Sequence, residues 1–202
     1  MDRHETESAR LLQHARDHGA FSLRDARGLG IHPEVVYRLV RVGAVERVAR
    51  GVYRASDARV TEKHGLVLTT KAIPEGIVCL LSALDFHQLT TQIPLEVWVA
   101  IDRRAAKPRV NDLPVRVVRF SGVPLTAGVE EHVLEGVPVR VYSVAKTVVD
   151  CFRCRNHVGL DVAIEALRDC REQRKCTPSE LWEMAVACRI GSVMRPYIEA
   201  VG

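Results

Sequence analysis

The sequence predicts an α+β protein in which a helical N-terminal region is followed by an α/β domain with a mixed sheet and a helical C-terminal part. Residues 1–58 contain three helix patterns and a β-hairpin pattern, β-rich runs occupy much of 95–143, and helix patterns follow. At 202 residues with 47% hydrophobic content, the chain can bury a full core and hold one or two domains. We predict two domains, residues 1–58 and 59–202.

The first two helices are predicted from their apolar spacing and from the residues at their ends. Apolar side chains recur at helical spacing over residues 5–17, and Gly19 ends this helix. Ser22, followed three residues later by Asp25, forms a capping box that starts a short second helix. The sequence "GLG" at 28–30 then turns the chain.

The third helix has one apolar face and one polar face. His32 is its predicted N-cap and Pro33 its first residue, where the missing N–H of proline costs nothing. Valine and leucine side chains form the apolar stripe, whereas Tyr37, Arg38 and Arg41 lie on the opposite side. One face is therefore expected to pack, and the other to be presented to a partner.

A cationic hairpin follows in "VERVARGVYR", residues 45–54. Two short strands are joined by a tight loop in which Gly51 can adopt positive φ. Arg47 and Arg54 lie on the strands and Arg50 lies at the tip. Three helices followed by such a hairpin are typical of a winged helix-turn-helix, which we predict for the first domain.

The positive charge is concentrated in this part of the chain. Residues 1–60 hold eleven arginines, no lysine and eight acidic residues, whereas the rest of the chain is nearly neutral. In a helix-turn-helix the second helix enters the major groove, so Tyr37, Arg38 and Arg41 are expected to face base edges. The hairpin arginines are placed for backbone or minor-groove contacts. We therefore predict binding to double-stranded DNA; the alternative is a solvated cationic surface used for protein contacts.

The second domain begins after a connector, with the boundary near residues 56–60. A connector helix is expected to end before Pro74, and Ser82 is expected to cap a helix that follows a short apolar segment at 76–81. The predicted strands are residues 95–102, 115–121 and 137–143. Helical patterns fill the remainder of the chain.

The cysteines and the apolar runs bear on where the protein works. The longest apolar run, residues 76–84, is far shorter than a membrane span, and no export signal is visible. We expect a cytoplasmic protein without membrane contact, with six cysteines present as thiols. Cys151 and Cys154 form one CxxC, but no matching ligand pair follows, so no metal site and no cofactor are predicted.

Two polar groups in the second domain could suggest chemistry. Lys146 and Asp150 lie at i and i+4 on one helix, and Ser82, Asp85 and His87 lie close together in sequence. A metal-dependent nuclease-like site could recruit such residues. An ion pair and a capped helix account for the same pattern. Because no acidic pair with recognisable spacing is present, we favour the structural interpretation and do not expect an enzyme.

A cationic loop lies between the first two predicted strands. Arg103, Arg104, Lys107 and Arg109 occur there without an acidic residue until Asp112. The loop is either a solvated connector or an additional contact to nucleic acid. Together with Lys146 and Asp150, these four residues mark a possible functional surface of the second domain.

Three stretches in order resemble one known family. They are "RLVRVGAVERVARGVYR", "CLLSALDFHQLTTQIP" and "VYSVAKTVVDCFRCRNHVGLDVAIEAL", and together the match covers nearly the whole chain. They are similar to the AbiEi family of type IV antitoxin transcriptional regulators. Members are two-domain proteins encoded beside a nucleotidyltransferase-like toxin. The resemblance implies that the winged helix represses the shared operon and that the C-terminal domain neutralises the toxin.

The expected function is therefore that of a DNA-binding repressor with antitoxin activity. Its expected partners are operator DNA, with inverted repeats, and a nucleotidyltransferase-like toxin; whether the two proteins touch is left open. The alternatives are an orphan winged-helix regulator and a metal-dependent nuclease-like enzyme that the winged helix delivers to DNA.

Overall fold

The computed structural model describes residues 3–58, 61–110 and 112–200, with side chains from Thr6 onward. Within these ranges the chain forms eleven helices and two sheets, one of them mixed, which confirms the α+β class. The chain divides into two compact units. The first comprises Met1–Glu75, Pro108–Leu113 and His132–Val139, and the second comprises Gly76–Lys107, Pro114–Glu131 and Arg140–Gly202. The domain boundary predicted at residues 58 and 59 falls at a gap, because Arg59 and Val60 lie outside the described residues.

The first unit begins with three helices that start and end close to the predicted positions. They are α1 (Arg3–Asp17), α2 (Leu23–Gly28) and α3 (Pro33–Arg41). The capping box of Ser22 and Asp25 is present, and the Nδ1 atom of His32 accepts a hydrogen bond from the backbone N–H of Glu34. These signals were readable in advance because each depends on residues within one helical turn.

A three-stranded antiparallel sheet completes this part of the fold. Its strands are β1 (Phe21–Ser22), β2 (Val45–Ala49) and β3 (Val52–Ala55), in the order β1-β3-β2. The hairpin β2–β3 confirms the prediction, whereas β1 was missed because two residues carry no periodic pattern. Phe21 and Tyr53 pair across this sheet with ring centroids 5.9 Å apart, and they lie in the core of the unit with Leu11 and Val36.

Helix α4 (His64–Ala72) is the predicted connector helix, and it contacts all three strands of this sheet. Lys71 near its C-terminus forms an ion pair with Asp25, with an N–O distance of 2.9 Å. His64 at its N-terminus contacts β3 and Glu135. Polar contacts therefore hold both ends of α4 in place within the first unit.

The second sheet has five strands in the order β6-β5-β4-β8-β7. The strands are β4 (Ile77–Val78), β5 (Val97–Asp102), β6 (Val115–Phe120), β7 (Val129–Leu134) and β8 (Val137–Tyr142). Strand β4 runs antiparallel to β5 and parallel to β8, and β5 runs parallel to β6. The mixed sheet is as predicted, but β7 was missed because its polar centre hides the alternation.

Seven helices accompany this sheet, and α7 lies at the centre of the helical layer. They are α5 (Leu80–Phe86), α6 (Val123–Thr126), α7 (Val144–Arg153), α8 (Arg155–Val158), α9 (Leu160–Glu172), α10 (Pro178–Ala187) and α11 (Gly191–Ala200). Helix α7 contacts α5, α9, α10 and α11, and eight of its residues are buried. None of the helices in the described ranges is both long and apolar enough to cross a membrane.

The prediction that Ser82 caps a helix is wrong. Helix α5 begins two residues earlier, at Leu80, after Cys79, so Ser82 lies inside it. The Ser82 hydroxyl accepts a hydrogen bond from the backbone N–H of Trp98 at 2.9 Å and lies 3.4 Å from the carbonyl of Glu96. A side chain expected to end a helix instead ties that helix to β5, a contact between residues sixteen positions apart that local sequence does not reveal.

The prediction that all six cysteines are thiols is wrong for one pair. Cys170 near the end of α9 and Cys176 are joined in a disulfide, with Cα atoms 6.2 Å apart. The other four, Cys79, Cys151, Cys154 and Cys188, are free, and burial raises the pKa of each of these thiols. The prediction relied on the expected compartment and could not include the turn that brings this pair together.

Candidate nucleic-acid interface

Helix α3 presents one face outward because the other is buried. Val35, Val36 and Leu39 are buried in the core of the first unit. On the other side Arg41 is exposed and 45% of the Tyr37 surface is accessible. A cation and an aromatic hydroxyl within five residues can both contact a nucleic-acid surface.

Arg38 lies on the same helix but is partly covered. Its Nη2 atom donates a hydrogen bond of 2.7 Å to the Ser8 hydroxyl on α1. This contact positions the guanidinium and uses one of its five donors. Of the three predicted residues on α3, Tyr37 and Arg41 are therefore exposed, whereas Arg38 is half-buried against α1.

The hairpin places two of its three arginines at the surface. Arg47 and Arg50 are exposed, and Arg47 donates from Nε to the carbonyl of Ala49 at 3.3 Å. Gly51 adopts φ +73°, the left-handed conformation expected for the tight loop. Arg50 therefore lies at the tip of the hairpin, as predicted.

Arg54 has a different environment, with only 17% of its side chain exposed. It forms an ion pair with Glu46, to which Nε donates at 2.8 Å, and its Nη1 lies 3.3 Å from Nε2 of His64. Glu46 and Arg54 are cross-strand partners, so the pair could have been found from the hairpin register. Its role as a DNA contact stays a prediction, and the structure gives it partners within the unit.

The same polar cluster continues to Glu135. Nδ1 of His64 lies 2.7 Å from one carboxylate oxygen, and Thr61 donates to the other from its backbone N–H and its hydroxyl. Burial disfavours the charged carboxylate, but the hydrogen bonds from His64 and Thr61 outweigh it, so the pKa of Glu135 is lowered. Because the guanidinium of Arg54 can only donate, Nε2 of His64 accepts from it and Nδ1 carries the proton that binds Glu135.

Two further arginines of the first unit were not among the predicted site residues. Arg24 and Arg27 lie on α2 and are exposed. The signal that could have found them was the arginine excess of this region, which was used only for the charge balance. They extend the set of exposed cations in the first unit beyond α3 and the hairpin.

In the second unit, Lys146 and Asp150 form an ion pair that is completely buried. The ammonium group lies 3.9 Å from the ring centroid of Tyr142 and 5.0 Å from that of Phe120. Burial raises the pKa of Asp150 to about 6, against the lowering effect of Lys146. A pair with no exposed surface cannot contact a macromolecule directly, so these two residues hold α7 in its surroundings.

The remaining residues of the nuclease-like hypothesis have separate contacts. Nε2 of His87 bonds the backbone carbonyl of Tyr142 at 2.7 Å, and Ser82 binds β5 as described above. Asp85 is half-buried on α5. Among the described residues, no group of three or more histidine, cysteine or acidic side chains is placed to hold a metal ion.

The cationic loop is exposed and is braced from β6. Arg103, Arg104 and Lys107 lie at the surface of the second unit, and Arg109, also exposed, belongs to the first unit. Nη1 of Arg119 donates to three backbone carbonyls at 102–105, over distances of 2.8 to 3.3 Å. A guanidinium outside the loop therefore orders its first residues.

Comparison with protein families locates a relationship in the first unit. Residues 9–56 match the family described as "Transcriptional regulator, AbiEi antitoxin". This match confirms the family resemblance for the N-terminal stretch, and it covers the three helices and the hairpin that carry Tyr37, Arg41 and Arg50.

Comparison with solved structures concerns the fold of the whole chain. The crystal structure of the RV2827C protein from Mycobacterium tuberculosis aligns with a TM-score of 0.57 and 13% sequence identity. The alignment covers 97% of this chain and 80% of that one. At this identity the likeness concerns the fold. No curated protein matches the chain.

Proposed function

We propose that the first unit is a winged helix-turn-helix and that the protein is a DNA-binding transcriptional repressor. The observation that carries the proposal is the position of the family match. Residues 9–56 include α2, α3 and the β2–β3 hairpin, the elements that expose the cations. A regulator family and a cationic helix-hairpin surface therefore coincide on the same residues.

Helix α3 would serve as the recognition helix. In this geometry Tyr37, Arg38 and Arg41 face the major groove, where an arginine can bind guanine with two hydrogen bonds. Arg50 at the hairpin tip and Arg47 beside it would lie along the flanking phosphates. The exposed α2 arginines, Arg24 and Arg27, would add backbone contacts.

The second activity is that of an antitoxin in a type IV toxin–antitoxin system. The family resemblance supports a protein that represses its own operon at inverted repeats and counteracts a nucleotidyltransferase-like toxin. The neutralising activity is assigned to the second unit. No catalytic step is assigned to this chain, and Lys146 and Asp150 have a structural role in this proposal.

Binding to the DNA upstream of the protein's own gene tests the repressor function. Full-length protein is titrated with this DNA and with a scrambled duplex of equal length at several salt concentrations. We expect tighter binding to the upstream DNA, and a fall in affinity with rising salt that reflects release of counterions from phosphates. Equal affinity for both duplexes at every salt concentration contradicts a sequence-specific repressor.

A further inference from the structure

The second unit contains a cavity of about 720 Å³ beside β6, the edge strand of the five-stranded sheet. Leu80, Val118, Phe120 and Cys154 form its apolar wall. Cavities of roughly 300–1,000 Å³ commonly bind small organic molecules. The residues predicted from sequence as a functional surface do not line it, so it is a distinct feature of this unit.

Two arginines from β6 give the cavity a cationic rim. Nε of Arg116 contacts Glu96 at 2.9 Å, and its guanidinium lies 4.5 Å from the Trp98 ring centroid. Arg119 is held by backbone carbonyls at 102–105, and within the described ranges it has no carboxylate partner. Only one of the two positive charges is therefore neutralised. Both guanidinium groups are held in place, which favours a phosphate or carboxylate ligand.

Helix α8 contributes two polar side chains to the same cavity. Asn156 and His157 line it and are exposed. An amide group both donates and accepts hydrogen bonds, and an imidazole can do either, so together they can bind the edge of a polar heterocycle. The cavity thus combines an apolar wall, a cationic rim and a mixed donor–acceptor edge.

We propose that this cavity binds a nucleoside phosphate. The phosphate would bind Arg116 and Arg119, and the base would pack on Val118 and Phe120 with its polar edge at Asn156. Inorganic phosphate would leave the apolar wall uncovered, and an aliphatic acid would leave the amide without a partner. This inference is independent of DNA binding, because every lining residue lies in the second unit.

The same chemistry occurs in a free mononucleotide and at the phosphorylated end of a single strand. Isothermal titration of the full-length protein with each of the four ribonucleoside 5′-monophosphates tests the first source. A 5′-phosphorylated pentanucleotide of RNA tests the second. We expect saturable 1:1 binding of at least one monophosphate, with its nucleoside and inorganic phosphate binding about tenfold or more weakly, since each lacks part of the contacts.

Two variants locate the binding. Arg116→Met keeps an apolar stem over Trp98 and removes the charge, and Asn156→Ala/His157→Ala changes only exposed side chains of α8. Each should weaken binding about tenfold, the effect of losing a charge-assisted hydrogen bond or the polar edge. The matched control is Arg195→Met, which removes an exposed arginine paired with Glu199 on α11 and outside the cavity lining.

The proposal is overturned by any of three results. They are a wild-type protein that binds neither the monophosphates nor the pentanucleotide, binding that both cavity variants leave unchanged, and inorganic phosphate binding as tightly as the nucleotides. If the pentanucleotide binds and no monophosphate does, the site holds a strand end. If Arg116→Met fails to fold in a thermal unfolding scan, the α8 variant decides the outcome.

Discussion

Arg41 and Arg50 are both exposed, but they occupy elements that contact DNA in different ways. If α3 reads bases, Arg41→Ala should lower discrimination between operator and scrambled DNA by roughly 1–3 kcal/mol, with less effect on non-specific binding. Arg50→Ala should weaken binding to both duplexes and reduce the salt slope by about one unit for each phosphate that the variant leaves without its cation. Titrations at several salt concentrations measure both effects. Equal losses on the two duplexes for Arg41→Ala refute base contact by this residue.

Arg38 combines an internal contact with a predicted external one. Its hydrogen bond to Ser8 fixes the guanidinium at 2.7 Å, so Arg38→Ala should reduce both operator affinity and stability, the latter by about 1 kcal/mol. Ser8→Ala removes the internal contact and keeps the charge. We expect this variant to retain operator affinity with a similar loss of stability by urea unfolding. If Ser8→Ala and Arg38→Ala lose affinity equally, Arg38 acts by holding α1 against α3.

At the scale of elements, Arg54 joins the hairpin to α4. Because its side chain is 17% exposed and binds Glu46 and His64, Arg54→Ala should destabilise the protein by about 1–2 kcal/mol. Its effect on DNA affinity should be smaller than that of Arg50→Ala. Urea unfolding and DNA titration of both variants test this. A general loss of affinity with unchanged stability would instead place Arg54 at the phosphates.

Helix α7 carries the buried pair Lys146–Asp150, which should give stability an unusual pH dependence. The pKa of Asp150 is raised to about 6 in the fold, so its contribution is fully present below the unfolded pKa near 3.8 and is lost as pH rises through 6. The difference in unfolding free energy between wild type and Lys146→Met/Asp150→Asn should fall by about 3 kcal/mol between pH 4 and 7. Guanidinium unfolding at each pH measures it.

The double variant is needed because Glu135 and Asp25 titrate in the opposite direction. The pKa of each is lowered in the fold, so each gains stability as pH rises, and the difference curve cancels both contributions. The single change Lys146→Met serves as a control, since it leaves a buried carboxylate without its counter-ion and should cost about 3–5 kcal/mol. A difference curve that rises with pH would show that Lys146 dominates and lowers the pKa of Asp150.

Which elements could be predicted from sequence follows from the range of the interactions that define them. The capping box at Ser22 and the start of α3 at Pro33 depend on adjacent residues, and both were predicted. Strand β1, the Ser82 contact to β5 and the Cys170 pairing depend on neighbours that only the folded chain supplies. The candidate site divides in the same way. The exposure of Arg41 follows from helical period, whereas the partners of Arg54 come from α4 and a segment near residue 135.

At the scale of the whole molecule, the first unit is assembled from three separate stretches of chain. Besides residues 1–75 it includes 108–113 and 132–139. Glu135 from the last stretch binds Thr61 and His64, so a fragment ending at residue 60 lacks both α4 and this carboxylate. Such a fragment is also near the size at which a domain is only marginally stable. Tests of separate activities are therefore better made by substitution in the full-length chain.

If DNA binding and toxin neutralisation belong to different units, they should be separable. Arg38→Ala/Arg41→Ala should derepress the promoter, because the α3 cations are removed, and should still protect cells from the toxin when expressed from an independent promoter. A chain lacking the residues before Lys63 should do the reverse, provided that circular dichroism shows it folded. A promoter–reporter assay and growth under toxin induction measure the two activities. Loss of protection in the folded substitution variant would show that neutralisation requires DNA binding, and a folded second unit that never protects would leave a plain repressor.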